Sequence, residues 1–260
     1  MGLLNQAQYL LSHYLNEVNE HSLHTPFLYD LYTKVFKSNK LDGDYDEIEQ
    51  IRSALCNSKE LIEVKGFGAG SHITNSLNRR VCDIAKKGST SIKYSQLFYR
   101  LIKYLNVRKV IELGTSLGIN TLYLAKFEAT KVYTFEGEPE LVKIANNNFK
   151  NYNAKNIKII EGDINSSLSS FLDGSVIPDL VYIDANHKYE PTLHYVELIA
   201  KKKHDNTLVI IDDIHWSKEM HDAWMKISAN PEVTLSLDLY QCGIIFFNPE
   251  FTKQHFILQF

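Results

Sequence analysis

The sequence predicts an α/β fold with a mostly parallel sheet, and three observations carry that prediction. Apolar runs near 108–113, 131–136, 156–160, 179–184 and 207–211 are each separated by a segment of helical character. Strand–helix alternation of this kind builds parallel sheets. Several of these runs close on carboxylates: Glu112, Glu136, Asp184 and the pair Asp212-Asp213. The last two apolar runs, Val233 to Leu239 and Gly243 to Phe247, are joined only by Tyr240-Gln241-Cys242, which predicts an antiparallel hairpin at the sheet edge.

The elements follow in order. Residues 1 to about 60 read as helical. Thr25-Pro26 is a helix start, with proline at the first helical position, and Leu28, Leu31, Tyr32, Val35 and Phe36 recur at helical spacing. Asp44 and Asp46 precede Ile48, Ile51 and Leu55, a second acidic start. A loop is expected over 38–43, and the glycine cluster 66–71 reads as a hinge or as a mobile cover. Tyr94, Leu97, Phe98, Leu101, Ile102 and Leu105 form a stripe leading into the first strand. Later helices are expected over Pro191 to Lys202 and around Met220, Trp224 and Met225. The chain therefore divides into a helical extension, 1–90, and an α/β domain, 91–260.

The chemistry centres on Val110-Ile111-Glu112-Leu113-Gly114-Thr115-Ser116-Leu117-Gly118, with Glu136 ending the next strand. The glycines permit a sharp turn and a close approach of ligand to backbone. A dinucleotide site would need G-x-G-x-x-G with a pyrophosphate on the helix N-terminus. Here the spacing is G-x-x-x-G, and Glu112 opposes phosphate and favours a cation. Glu136 stands where an acid accepts hydrogen bonds from ribose hydroxyls. A ribose, no phosphate and positive charge at the turn describe S-adenosylmethionine.

Residues 112–118 resemble motif I of the class I S-adenosylmethionine-dependent methyltransferases. Glu136 resembles their ribose-binding acid, Glu161-Gly162-Asp163 their adenine-side loop, and Asp184 the acid that ends strand four. The likeness runs from about residue 92 onward and is similar to catechol-type O-methyltransferases and to methyltransferase family 24. It implies a Rossmann-like sheet of seven strands with an antiparallel C-terminal hairpin. It implies cofactor contacts from Glu112, Gly114, Thr115, Ser116, Gly118, Glu136, Asp163 and Asp184. The implied activity is O-methylation of a small molecule.

A second constellation lies at the ends of later strands. Asp184, Asp212 and Asp213 could bind a hard divalent cation through oxygen, and the resemblance implies magnesium as a candidate cofactor there. Asp213 stands where the catechol-type enzymes have an amide. His187 replaces their lysine base, three residues after Asp184, with Lys188 next to it. Asp184, His187 and Asp213 are thus the candidate catalytic residues, with His187 the candidate base. Its unspecialised alternative is a surface or capping histidine.

Composition bounds the rest. The net charge of −3 gives no footprint for nucleic acid. The three cysteines, Cys56, Cys82 and Cys242, are isolated and suggest neither a disulfide framework nor a zinc knuckle. No apolar run approaches membrane-spanning length and no signal layout opens the chain, so a cytoplasmic protein is expected, with a homodimer through the N-terminal helices as one arrangement. A rival reading takes Gly114 to Gly118 as the G-x-S-x-G elbow of an α/β-hydrolase, with Ser116 as nucleophile and His255 downstream. A non-catalytic S-adenosylmethionine-binding module is the third reading. The ionisable cluster around Asp184, His187, Asp212, Asp213 and His215 argues against it.

Overall fold

The computed structural model describes residues 2–38, 44–64 and 78–260. Helix α1 (Gly2–Asn16) comes first, and α2 (Pro26–Leu31) starts at the expected proline and runs into a π turn over Tyr32–Phe36. Leu28, Leu31, Tyr32, Val35 and Phe36 are all buried, as their spacing predicts. In α3 (Asp46–Cys56) the first N–H donates to Asp44 at 3.0 Å. Two three-residue strands, β1 (Leu61–Glu63) and β2 (Asn78–Arg80), then pair antiparallel. They were not foreseen, because three residues carry no readable period. The glycine cluster 66–71 and residues 39–43 of the predicted loop lie outside the described residues.

The chain continues through α4 (Val81–Lys87), α5 (Ile92–Leu105), β3 (Lys109–Leu113), α6 (Ile119–Ala125), β4 (Lys131–Glu136), α7 (Pro139–Asn151), β5 (Ile157–Glu161) and α8 (Ile164–Leu172). It ends with β6 (Leu180–Ile183), α9 (Tyr189–Ala200), β7 (Leu208–Asp212), α10 (Lys218–Ala229), β8 (Leu235–Asp238), β9 (Cys242–Phe246) and β10 (Gln254–Ile257).

These elements form two compact units, one of residues 40–174 and one of residues 1–39 with 175–260. In the first, β3, β4 and β5 lie side by side and parallel. Their register aligns Leu113 with Phe135 and Glu136 with Glu161, so three strand ends and three following loops share one edge. Tyr45, Ile48, Leu122, Tyr123, Ala145 and Phe149 pack together in its core. In the second unit β6 and β7 are parallel, β9 runs antiparallel to β7, and β8 antiparallel to β9. The hairpin is therefore as predicted. β10 adds a parallel partner to β8 and exceeds the seven strands expected. Its half-buried Gln254 and exposed His255 hide it from an apolar-run reading. Among the described residues no helix is long and apolar enough to cross a membrane.

Candidate active site

The glycine turn follows β3. Gly114 (φ +99°) and Gly118 (φ +78°) both occupy the left-handed region. The N–H groups of Gly114 and Thr115 donate to the Phe135 carbonyl at 3.0 and 3.1 Å, which fastens the turn to β4. Gly118 begins α6, and a Cβ there would come within 2.6 Å of Phe149 Cε1. Asn148 Nδ2 also donates to the Leu117 carbonyl at 2.9 Å, so α7 braces the turn from behind.

Two acids flank this turn and behave differently. Glu136 ends β4; its Oε2 accepts the Ser116 N–H at 2.8 Å and its Oε1 the Glu138 N–H at 3.0 Å. Burial pushes its pKa above the ordinary carboxylate value, while the N–H groups of Glu138, Ser116 and Gly137 oppose that shift. The carboxylate is thus held rigidly at the strand end. Glu112 is 1% exposed and sits beneath the turn. Thr121 Oγ1 donates to it at 2.5 Å, Thr134 Oγ1 at 2.7 Å and Asn120 Nδ2 at 3.2 Å. Thr115 Oγ1 and Thr134 Oγ1 lie 2.5 Å apart in the same network. Thr134 was missed, because only the β3–β4 register sets it opposite Glu112.

Asp163 follows β5 after Gly162, whose N–H donates to the Glu136 carbonyl at 2.9 Å. It is exposed and caps α8, accepting the Asn165 N–H at 3.3 Å. Glu112, Glu136, Asp163 and the glycine turn thus gather at one edge of one unit.

The second constellation lies in the other unit, at the ends of the parallel strands β6 and β7. His187 stands between two acids: its Nε2 is 3.3 Å from Asp184 Oδ1 and its Nδ1 is 3.9 Å from Asp213 Oδ2. Burial alone would lower the His187 pKa. The hydrogen bond and charge of Asp184, with Asp213 and Asp212, override it and raise the pKa to about 9. Asp213 is raised to about 6, first by burial and then by Asp184, with His187 opposing. Asp212 is buried; it accepts the Tyr182 hydroxyl and, at 3.0 Å, the Asp213 N–H. Burial and the charges of Asp184 and Asp213 raise its pKa well above the ordinary value. Tyr182 is the residue that sequence reasoning passed over. It precedes Asp184 by two positions and so shares a strand face with it. The Trp216 ring centroid lies 5.9 Å from that of His187.

Four of the seven described non-glycine residues with positive φ fall at these two constellations. Ser116 (φ +50°), Asn186 (+63°), His187 (+43°) and Asp213 (+57°) are non-glycine residues in the left-handed region. Such conformations cost about 1–3 kcal/mol each and concentrate at functional positions. The hydrolase reading finds less support. Ser116 has a strained backbone suited to an elbow, but its N–H is given to Glu136, and His255 Nδ1 lies 2.8 Å from Ser236 Oγ.

The fold is similar to that of solved methyltransferases. Residues 111–214 match the family model described as a methyltransferase domain. Among solved structures, an O-methyltransferase from Bacillus cereus in complex with SAH is similar at 18% identity and a TM-score of 0.58, over 82% of this chain and 95% of that one. The SAH-bound methyltransferase of Podospora anserina matches at 16% identity and 0.56, over 81% and 99%. The O-methyltransferase TomG of Streptomyces achromogenes, involved in tomaymycin synthesis and solved with SAM, matches at 13% and 0.58, over 83% and 96%.

Proposed function

We propose that this chain transfers the methyl group of S-adenosylmethionine to an oxygen of a small molecule. The observation that carries this reading is Glu136, a buried carboxylate fixed by the N–H groups of Ser116 and Glu138 beside a G-x-x-x-G turn. In this reading Glu136 takes the ribose hydroxyls. Gly114, Thr115, Ser116 and Gly118 form the floor under the methionine portion, with the charge of Glu112 beneath. Asp163 serves the adenine side. Residues 91–260 form the donor-binding domain, and residues 1–90 are an extension that selects the acceptor. A cytoplasmic setting and a homodimer belong to the same reading. The dimer would use the α1 face on which Leu10, Leu11, Tyr14 and Leu15 are exposed.

The sulfonium supplies an already activated methyl group, so the protein's task is to position the acceptor and take its proton. The expected assignment of His187 as base is revised here. A histidine with a pKa of about 9 is protonated at neutrality and has no lone pair to offer. Asp213, raised to about 6, is ionised at neutral pH and still basic enough to accept a proton. The imidazolium of His187 then orients Asp184 and Asp213 and balances their charge. The acceptor oxygen gives its proton to Asp213 and takes the methyl carbon, and a neutral thioether leaves.

Magnesium would supply Lewis acidity, holding the acceptor oxygen as its anion. The residues fit it poorly. The His187 ring occupies the space between Asp184 and Asp213, 3.3 and 3.9 Å from their oxygens, and Asp212 is turned to Tyr182. Proton transfer is therefore assigned to the protein's own groups.

Calorimetry with S-adenosylhomocysteine and with NAD tests the cofactor. Transfer of a labelled methyl group to a panel of catechols and other hydroxylated small molecules tests the reaction. Binding of NAD without binding of S-adenosylhomocysteine would sink the reading.

A further inference from the structure

The fold brings three potential metal-ligating side chains together, of which His13 and Asp238 play no part in the site above and His215 follows Asp213 by two positions. His13 comes from α1, His215 from the segment after β7 and Asp238 from the end of β8. All three are buried, at 7%, 7% and 3% exposure. One ligand atom from each lies within 4.8 Å of the others. Asp238 Oδ1 is 3.2 Å from His13 Nδ1, and Asp238 Oδ2 is 2.8 Å from His215 Nε2.

We propose that His13, His215 and Asp238 bind a divalent transition-metal ion of the zinc type, which fastens helix α1 to the β8 end of its unit. Two imidazoles and one carboxylate suit such an ion rather than magnesium or calcium. His13 Nδ1 supplies an independent sign. It is buried without a hydrogen-bond partner, although it lies within reach of the carboxylate. A ring nitrogen left this way in a dry site faces an acid without a partner of its own, and a shared cation satisfies both.

The surroundings match what metal ligands usually have behind them. Trp224 Nε1 donates to Asp238 Oδ2 at 3.0 Å and the Tyr240 N–H donates to Oδ1 at 2.8 Å, which fixes the carboxylate. His215 Nδ1 lies 3.0 Å from His221 Nδ1, so a neutral His221 can take its N–H and leave Nε2 free as a ligand. Glu17 Oε2 stands 3.8 Å from His13 Nε2, an acid beside the ring but beyond hydrogen-bond distance. The role is structural: α1 is otherwise attached near this point by Gln6 Nε2 to the Trp216 carbonyl at 2.7 Å and by Tyr9 stacked on His221.

The test uses the full chain without an affinity tag, stripped with chelator and then titrated with zinc alone. About one zinc per chain should be retained after dialysis, and it should raise Tm by mass action. Cobalt in its place should give visible bands of a low-coordinate nitrogen–oxygen site. His13→Gln should abolish all three signals, whereas Asp184→Asn should preserve them. Zinc-edge absorption of the wild-type protein keeps the question decidable should His13→Gln fail to fold. A shell with two imidazoles supports the site. A purely oxygen shell, absence of retained zinc, or full retention in folded His13→Gln means a proton-bonded His–Asp–His network and overturns it.

Discussion

His187 Nε2 lies 3.3 Å from Asp184 Oδ1, and the same ring reaches toward Asp213 on its other side. One imidazolium between two carboxylates turns a cluster of like charges into a balanced one.

The first prediction concerns the pH dependence of methyl transfer. In the proposed mechanism the active form has Asp213 ionised and His187 protonated. Activity should therefore rise with pH through about 6 and fall through about 9. Removing the main partner in Asp184→Asn should bring the upper limb down toward the ordinary histidine value. A pH–rate profile flat across both limbs would refute these roles.

The same pair bears on stability. The folded pKa of His187 is raised above its ordinary 6.5, so its contribution is fully present below that value and is lost as pH rises through about 9. The Tm of wild-type protein should decline over this alkaline window. His187→Gln should decline less there, by differential scanning calorimetry at matched pH.

Glu136 is the proposed ribose ligand. Its carboxylate is anchored by the Ser116 and Glu138 N–H groups, and Glu136→Ala should weaken S-adenosylhomocysteine binding by about 1.5–3 kcal/mol, the range for a hydrogen bond to a charged group. Calorimetry that finds the variant as tight as wild type removes Glu136 from the donor site.

Ser116 separates transferase from hydrolase. A fluorophosphonate should leave wild-type protein unlabelled, and Ser116→Ala should keep S-adenosylhomocysteine binding within a few-fold, since the Ser116 contact to Glu136 is made by the backbone N–H. A stoichiometric adduct that disappears in Ser116→Ala would restore the hydrolase.

Gly118 is the steric keystone of the turn. A methyl group there meets Phe149 Cε1 at 2.6 Å in a backbone region that alanine rarely adopts. Gly118→Ala should destabilise the protein by about 1–3 kcal/mol on overpacking and strain together. Urea unfolding with unchanged stability would show that α7 yields instead.

Local pattern alone located the βαβ unit, the acids at its strand ends and the C-terminal hairpin, because period and turn chemistry are written in neighbouring residues. Glu112 and Glu136 are both strand-end acids in the sequence, yet one is sealed under Thr121 and Thr134 while the other closes on Ser116. Register across β3 and β4 makes that distinction, and no local signal encodes it. The strands β1, β2 and β10 were equally silent, being too short or too polar to show a period. Sequence could place His187 three residues from Asp184, but its charge state depends on burial and on Asp213, which arrives from another strand. His13 and Asp238 stand 225 positions apart in the chain, and only packing of α1 near the end of β8 brings their atoms to 3.2 Å. Secondary structure and the class of ligand to expect follow from short-range chemistry. The protonation and partnership of each ionisable side chain follow from long-range packing, because solvent exclusion and charge proximity are properties of the folded interior.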